Sequence, residues 1–272
     1  MGATNLFSLD GKVIVITGGT GILGGGFVKA IAEAGGTAVI LGRNAEVGKK
    51  RAEEISASGG KAFSVSADVL NEADLNKARE LVLEKYGAIH GLVNCAGGNM
   101  PEGVLQPDAD IFSMNLYGMR KAMELNLWGT IIPTQVFGTA MTKNGGSIVN
   151  ISSVSSVQAV TKVLGYSMGK AAVDCYTKWF AVEVANRFGD AIRMNSIMPG
   201  FFLTEQNRTL LTQPDGSLTP RGDLVVQHTP YKRFGKPEEL AGAVIYLLSD
   251  ASKFVTGMQL GVDGGFTIFS GV

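Results

Sequence analysis

The stretch Tyr166-Ser167-Met168-Gly169-Lys170 sets a phenol and an ammonium four residues apart, and Ser153 stands thirteen residues before the tyrosine. A helix turns once per 3.6 residues, so positions i and i+4 share a face and the ammonium comes near the phenol. A phenol in water titrates near ~10 and exchanges protons poorly at neutral pH. A fixed positive charge beside it favours the phenolate and lowers that pKa. The pair then forms a proton donor and acceptor that works at cellular pH. Ser153 follows the apolar run 147–151, which reads as a buried strand, so its hydroxyl stands at the strand's C-terminal end. There it could hold a carbonyl or alcohol oxygen beside the tyrosine. Alone, a Tyr-xxx-Lys match is equally an ordinary i, i+4 pair at a helix start, and the surrounding elements must agree before it carries chemistry.

The first of those elements is a β-branched run at 12–17, followed by Gly18-Gly19-Thr20-Gly21-Ile22-Leu23-Gly24 and a helical pattern at 27–34. Strand, glycine loop and helix in that order form a dinucleotide-binding turn. Gly18, Gly19, Thr20, Gly21, Ile22 and Leu23 would bring backbone N–H groups to a pyrophosphate, where the helix dipole favours negative charge. The second strand, 37–41, ends in Gly42-Arg43-Asn44 instead of a carboxylate for ribose hydroxyls. Glycine leaves room, and a guanidinium pairs bidentately with a 2′-phosphate, which favours NADP(H) over NAD(H). A solvated arginine at a strand end is the plainer reading of Arg43.

Helices at 45–57 and 72–86 alternate with strands at 62–66 and 89–94, and Asp68-Val69 falls where an adenine could rest. The fourth strand runs into Asn94-Cys95-Ala96-Gly97-Gly98, small residues against which a cofactor can lie. This alternation predicts an α/β fold: one Rossmann-type domain over 1–272, a doubly wound parallel sheet with helices on both faces. A helix at 119–141 holds Asn126 and should kink at Gly129 and Pro133. A helix at 166–187, a strand at 192–197 ended by Pro199-Gly200, a helix at 237–249 and a strand at 259–262 complete the pattern. Residues 201–233 lack clean periodicity and are rich in Pro and Gly, and a loop that long in a compact domain is usually functional.

Composition narrows the function from outside. The chain of 272 residues is 45% hydrophobic and 18% charged, with a formal net charge of zero. No basic stripe points to nucleic acid, and no run reaches membrane length. Two isolated thiols, Cys95 and Cys175, both in segments that read as buried, make neither a disulfide framework nor a metal site. The first ten residues lack a signal-peptide pattern, so a reducing, cytoplasmic location is expected.

From about Leu9 onward the chain resembles the short-chain dehydrogenase/reductase family. The resemblance rests on Thr17-Gly18 with Gly21 and Gly24, Asp68, Asn94 to Gly97, Asn126, Ser153, Tyr166 with Lys170, Asn195, and Pro199-Gly200 with Thr204. Two features depart from it: Ile22 stands where the family's compact branch has a middle glycine, and Cys95 where it has a second asparagine. The resemblance implies that Tyr166 exchanges the proton and Ser153 holds the substrate oxygen. Lys170 would bind the nicotinamide ribose, Asn126 would hold a water linked to Lys170, and Thr204 would face the carboxamide. Within the family, the stretches 199–208, 218–222, 228–230 and 262–272 look like the bacterial D-mannonate oxidoreductase (fructuronate reductase) group. That implies a small keto or hydroxy acid substrate, with Arg208, Arg221 and His228 as candidates for its carboxylate and Asn99 for a sugar hydroxyl. The segment 201–233 becomes a substrate lid. A 3-oxoacyl carrier reductase or a gluconate 5-dehydrogenase on the same scaffold is the alternative, and a redox sensor without catalysis is the rival from another class. Family members commonly form homotetramers, with dimers possible, and Trp179, Phe180 and Val184 are candidates for such a contact.

Overall fold

The computed structural model describes residues 3–106, 108–204 and 207–271; Glu205 and Gln206 of the expected lid lie outside the described residues. Strands and helices alternate as β1 (Val13–Thr17), α1 (Ile22–Glu33), β2 (Thr37–Gly42), α2 (Ala45–Ala57), β3 (Lys61–Ser66), α3 (Glu72–Tyr86) and β4 (Gly91–Asn94). The chain continues with α4 (Leu116–Met123), α5 (Gly129–Met141), β5 (Gly146–Ile151), α6 (Leu164–Phe188) and β6 (Ile192–Pro199). Two short helices, α7 (Arg208–Leu211) and α8 (Pro220–His228), precede α9 (Ala241–Leu248) and β7 (Gln259–Val262). The seven strands form one sheet in the order β3-β2-β1-β4-β5-β6-β7, with every neighbouring pair parallel. The chain leaves β1 toward β2 and β3, then returns to β1's other side as β4. Connections that diverge in this way open a crevice at the C-terminal ends of β1 and β4.

The central strands are apolar throughout because both faces are covered, as parallel sheets require. Along β1 the side chains alternate between two cores. Val13 and Val15 pack with Leu75 and Val82 of α3, Phe137 and Met141 of α5, and Ala181 and Val184 of α6. Ile14 and Ile16 pack with Phe27 and Ile31 of α1, Ile55 of α2, and Val244 and Leu247 of α9. Three helices on each face therefore hold the sheet rigid beneath the crevice.

Several elements depart from their expected form. Helix α1 begins five residues earlier than expected, at Ile22, taking in Gly24, Gly25 and Gly26 despite their low helix propensity. The helix expected at 119–141 is not broken at Pro133, which lies within α5. It is instead divided by a π turn, Glu124–Trp128, in which the Gly129 N–H donates to the Glu124 carbonyl five residues back. Pro133 has no N–H to close a regular bond. Among its described residues, the segment 201–233 holds two short helices between stretches without regular structure. Thr219 caps α8 through the Gly222 N–H, and Thr212 and Leu218 form an antiparallel bridge between α7 and α8. Cys95 is half-buried, but Cys175 is exposed on α6, contrary to its apolar sequence setting. Val184 is buried in the core, and Phe180 is partly buried against it. Trp179 and Val182 are apolar α6 residues that face outward, 62% and 60% exposed.

Candidate active site

Ser153 leaves the end of β5 and caps a short 3-10 turn, its Oγ accepting from the Ser155 N–H at 3.2 Å and the Ser155 hydroxyl at 3.0 Å. Tyr166 and Lys170 come from the first two turns of α6, so a strand end and a helix start meet here. Helix α6 crosses the preceding helix closely through glycines on this face. A Cβ at Gly165 would lie 2.5 Å from the Met119 carbonyl, and one at Gly169 would lie 3.0 Å from the Asn126 Cβ. Lys170 is 4% exposed. Its Nζ donates to the Ile151 carbonyl at 2.7 Å and lies 5.6 Å from the Tyr166 ring centre.

The expected cause of tyrosine activation changes in this setting. Burial pushes the Tyr166 phenol above its ordinary value, while its hydrogen bond with Ser153 pulls it down. Lys170, desolvated by the same packing, is itself lowered to about 8, with Cys95 and Asp174 opposing the shift. An ammonium that gives up half its charge near pH 8 is a weaker lever on its neighbour than an exposed one. Burial also raises the Cys95 thiol to about 12, against the pull of Lys170, so it stands neutral beside the site.

Asn126 is 0% exposed, in the π turn. Its Nδ2 donates to the Ala122 carbonyl at 2.7 Å and the Gly98 carbonyl at 2.8 Å, while its Oδ1 accepts from the Gly98 N–H at 3.1 Å. The side chain thus meets a helix carbonyl and clamps the loop after β4. A Cβ at Gly97 would fall 2.6 Å from Asn126 Oδ1 and 3.2 Å from Lys170 Nζ, so only glycine fits between them. Replacing Asn126 with an apolar residue would leave these backbone groups unpaired, at about 1–3 kcal/mol each.

The glycine loop fits a dinucleotide. Gly18 holds φ +65, and a Cβ there would lie 2.8 Å from the Ala96 nitrogen, so the loop sits directly against the end of β4. Thr17 Oγ1 joins the same strands by accepting from the Cys95 and Ala96 N–H groups at 3.1 and 3.2 Å. Gly21 is the N-cap of α1 and supplies no side-chain cap, which leaves the first amides of a twelve-residue helix for an anion. Ile22, 39% exposed at the first helical position, turns outward and does not block that end. Arg51 of α2, absent from the sequence reading, donates from Nη1 to the carbonyls of Gly19 and Gly21 and straps the loop.

Other expected cofactor residues hold varied positions. The space over Gly42 is filled by Thr20, whose Oγ1 would lie 2.4 Å from a Cβ there, so the room that glycine was expected to leave is already taken. Arg43 is exposed just beyond, at the mouth of the crevice. Asn44 caps α2 by accepting from the Val47 N–H at 3.1 Å. Asp68 accepts from the Leu70 N–H at 3.0 Å, and Val69 is buried. Asn94 is a core residue: its Nδ2 donates to Thr134 at 2.9 Å and Asn150 at 2.8 Å. Its Oδ1 is buried with no hydrogen-bond partner among the described residues, beside the half-buried Ala96 and exposed Gly97. Pro199 ends β6, and Gly200 packs against Asp263, whose Cα a Cβ would meet at 2.7 Å. The Thr204 N–H donates to Asn207 Oδ1 at 2.8 Å, which ties the segment after β6 to the start of α7.

The carboxylate candidates are spread along that segment. Arg208 is exposed at the start of α7, and Arg221 is half-buried in the first turn of α8. His228 is exposed, with Nδ1 2.8 Å from the Leu224 carbonyl of its own helix, so it is engaged locally. Asn99 is exposed after β4.

Residues 20–267 match the family model described as Enoyl-(Acyl carrier protein) reductase. The chain is 40% identical over 275 residues to an uncharacterized oxidoreductase, UxuB, of Bacillus subtilis (strain 168), covering 97% of this chain and 98% of that protein. It superposes on a candidate D-mannonate oxidoreductase from Haemophilus influenza with bound NAD at a TM-score of 0.91, with 36% identity and 100% of both chains covered. A gluconate 5-dehydrogenase from Burkholderia cenocepacia J2315 in complex with NADP and tartrate matches at 0.86, with 34% identity over 98% of this chain and 99% of that one.

Proposed function

This chain belongs to the short-chain dehydrogenase/reductase family and is an NAD(P)-dependent oxidoreductase acting on CH–OH groups, and on that footing we propose that it interconverts a keto-sugar acid and its hydroxy acid, of the D-fructuronate/D-mannonate kind. The observation that carries this reading is the full-length 36% identity to the candidate D-mannonate oxidoreductase. The cationic side chains on α7 and α8 agree with an anionic substrate.

The nicotinamide cofactor, when bound, supplies or accepts the hydride. Tyr166 gives its proton to the ketone oxygen in reduction and takes it back in oxidation. The Ser153 hydroxyl holds that oxygen and, through its bond to Tyr166, makes the phenol easier to ionise. Lys170 holds the nicotinamide ribose and keeps a positive charge near the phenol up to about pH 8. Asn126 fixes the loop at Gly98 and, through its main chain, holds a water on the route from Lys170 to solvent. Gly18 to Leu23 hold the pyrophosphate, Asp68 and Val69 flank the adenine, and Pro199, Gly200 and Thr204 border the nicotinamide. Arg43 with Asn44 would meet a ribose 2′-phosphate, which would favour NADP(H) as cofactor. The segment 201–233 acts as a lid whose Arg221 and Arg208 meet the substrate carboxylate. The working form is a cytoplasmic homotetramer acting in carbohydrate metabolism.

The test is NADPH oxidation with D-fructuronate, 5-keto-D-gluconate and a 3-oxoacyl thioester side by side. The highest kcat/KM is expected with D-fructuronate. A preference for 5-keto-D-gluconate would favour the second reading, which the likeness to the gluconate 5-dehydrogenase supports. A preference for the thioester would overturn both.

A further inference from the structure

Behind the catalytic residues lies a second polar group that the mechanism above does not use. Asp174 stands one helical turn after Lys170 on α6 and is 6% exposed. Its carboxylate is fully engaged by groups from two other strands. Ser196 of β6 donates to Oδ1 at 3.2 Å, and Gln259 of β7 donates from Nε2 to Oδ2 at 2.5 Å. The same Nε2 lies 3.3 Å from the Ser156 hydroxyl, which donates onward to the main-chain carbonyl of Ser153 at 2.7 Å. A hydrogen-bonded line therefore runs from a buried carboxylate to the backbone of the residue that holds the substrate oxygen. We propose that Asp174 and Gln259 are positioning residues: Gln259, anchored on Asp174, sets the Ser153 turn through Ser156, and Asp174 is the buried counter-charge that keeps Lys170 protonated.

The physical case is one of offset costs. A buried carboxylate is tolerated only when paired or hydrogen-bonded, and here the donors are neutral, so its negative charge remains to act on Lys170. The groups facing Lys170 are Tyr166 and Asp174 on its own helix and Cys95 from the end of β4. Cys95 and Asp174 both hold the Lys170 ammonium up against burial, and Asp174 is the carboxylate among them. The inference rests on the catalytic reading of Ser153, Tyr166 and Lys170, and its test separates the two.

The ammonium of Lys170 is followed by NMR in enzyme carrying lysine labelled with carbon-13 at Cε, its signal assigned by loss in Lys170→Met. Asp174→Asn keeps the side-chain volume and removes the charge. The Lys170 midpoint should fall by about one pH unit, the scale of a lost opposite charge at short range. Gln259→Met, on a half-exposed strand position, should leave that midpoint in place. It should instead lower kcat with D-fructuronate and NADPH by about tenfold or more, since small displacements of a positioned group are costly. An unmoved Lys170 midpoint in Asp174→Asn, or wild-type kcat in Gln259→Met, overturns the proposal. Should Asp174→Asn not fold, Gln259→Met decides the positioning claim alone. Tyr166→Phe is measured in parallel: turnover surviving in that variant would mean the catalytic reading fails, whereas its loss beside silent Asp174 and Gln259 variants sinks only this inference.

Discussion

At the scale of single residues, the helical period made the grouping of the candidate catalytic residues legible. Tyr166 and Lys170 fall on one face of α6 whatever surrounds them, and Ser153 is placed by the strand before it. What spacing does not contain is solvation. The expectation that Lys170 would pull the phenol down supposed a fully charged lysine, and packing lowers that lysine to about 8. The sign of the pH dependence follows. Lys170 holds its charge below about pH 8 and loses it above, so kcat for reduction should fall as pH rises through that region. In Lys170→Arg the guanidinium stays charged and this alkaline limb should vanish, even if the rate is lower overall. A limb near pH 8 that persists in the arginine variant would assign it to another group. Tyr166→Phe removes one hydroxyl and should lower kcat by at least about a hundredfold, the scale of a lost general acid, with cofactor affinity kept in a fluorescence titration. Arg43→Leu should weaken NADPH by about tenfold or more and leave NADH nearly unchanged. Equal losses for both cofactors would deny Arg43 a role at the 2′-phosphate.

At the scale of elements, boundaries were readable where a cap announces them. Asn44 and Asn71 each accept from the amides of the helix they open, and α2 and α3 begin where their polar-to-helical transition places them. Helix α1 was hidden because Ile22-Leu23-Gly24-Gly25-Gly26 has poor propensity. Close packing requires glycine at two of them: a Cβ at Gly24 would lie 2.2 Å from the Gly18 carbonyl, and one at Gly25 would meet the Arg51 guanidinium at 2.6 Å. The π turn was likewise invisible, since a five-residue hydrogen bond leaves no composition mark. The strap from Arg51 to the glycine loop joins residues about thirty positions apart, beyond any local pattern. The segment 201–233 was singled out by length and Pro/Gly content, while its two short helices were not visible. If it closes over a carboxylate, Arg221→Ala should raise KM for D-fructuronate about tenfold or more and leave KM for NADPH alone. Hydrogen exchange across α7 and α8 should slow when cofactor and D-fructuronate are both present. Exchange already slow in the free enzyme would mean the segment is a fixed wall.

At the scale of the whole molecule, the alternation of strands and helices made the doubly wound fold legible, and family likeness predicted association. On the outer face of α6, Trp179 and Val182 are exposed, whereas Val184 is buried and Phe180 is partly buried. Apolar side chains this exposed on a helix commonly mark a contact between copies. Light scattering at micromolar concentration should give a tetramer, and Trp179→Glu should shift it toward smaller species; a wild-type monomer would rule the assembly out. The sheet also has an order in time as well as in space. Strand β7 is the last to be synthesised, yet it covers the edge of β6 from Ser196 to Pro199 and brings Gln259 against Asp174. Before it emerges from the ribosome, a nascent chain already contains Ser153, Tyr166 and Lys170, but with an open β edge and an unanchored carboxylate behind them. A chain stalled after α9 should present the bare β6 edge to chaperones, to proteases or to another unfinished copy.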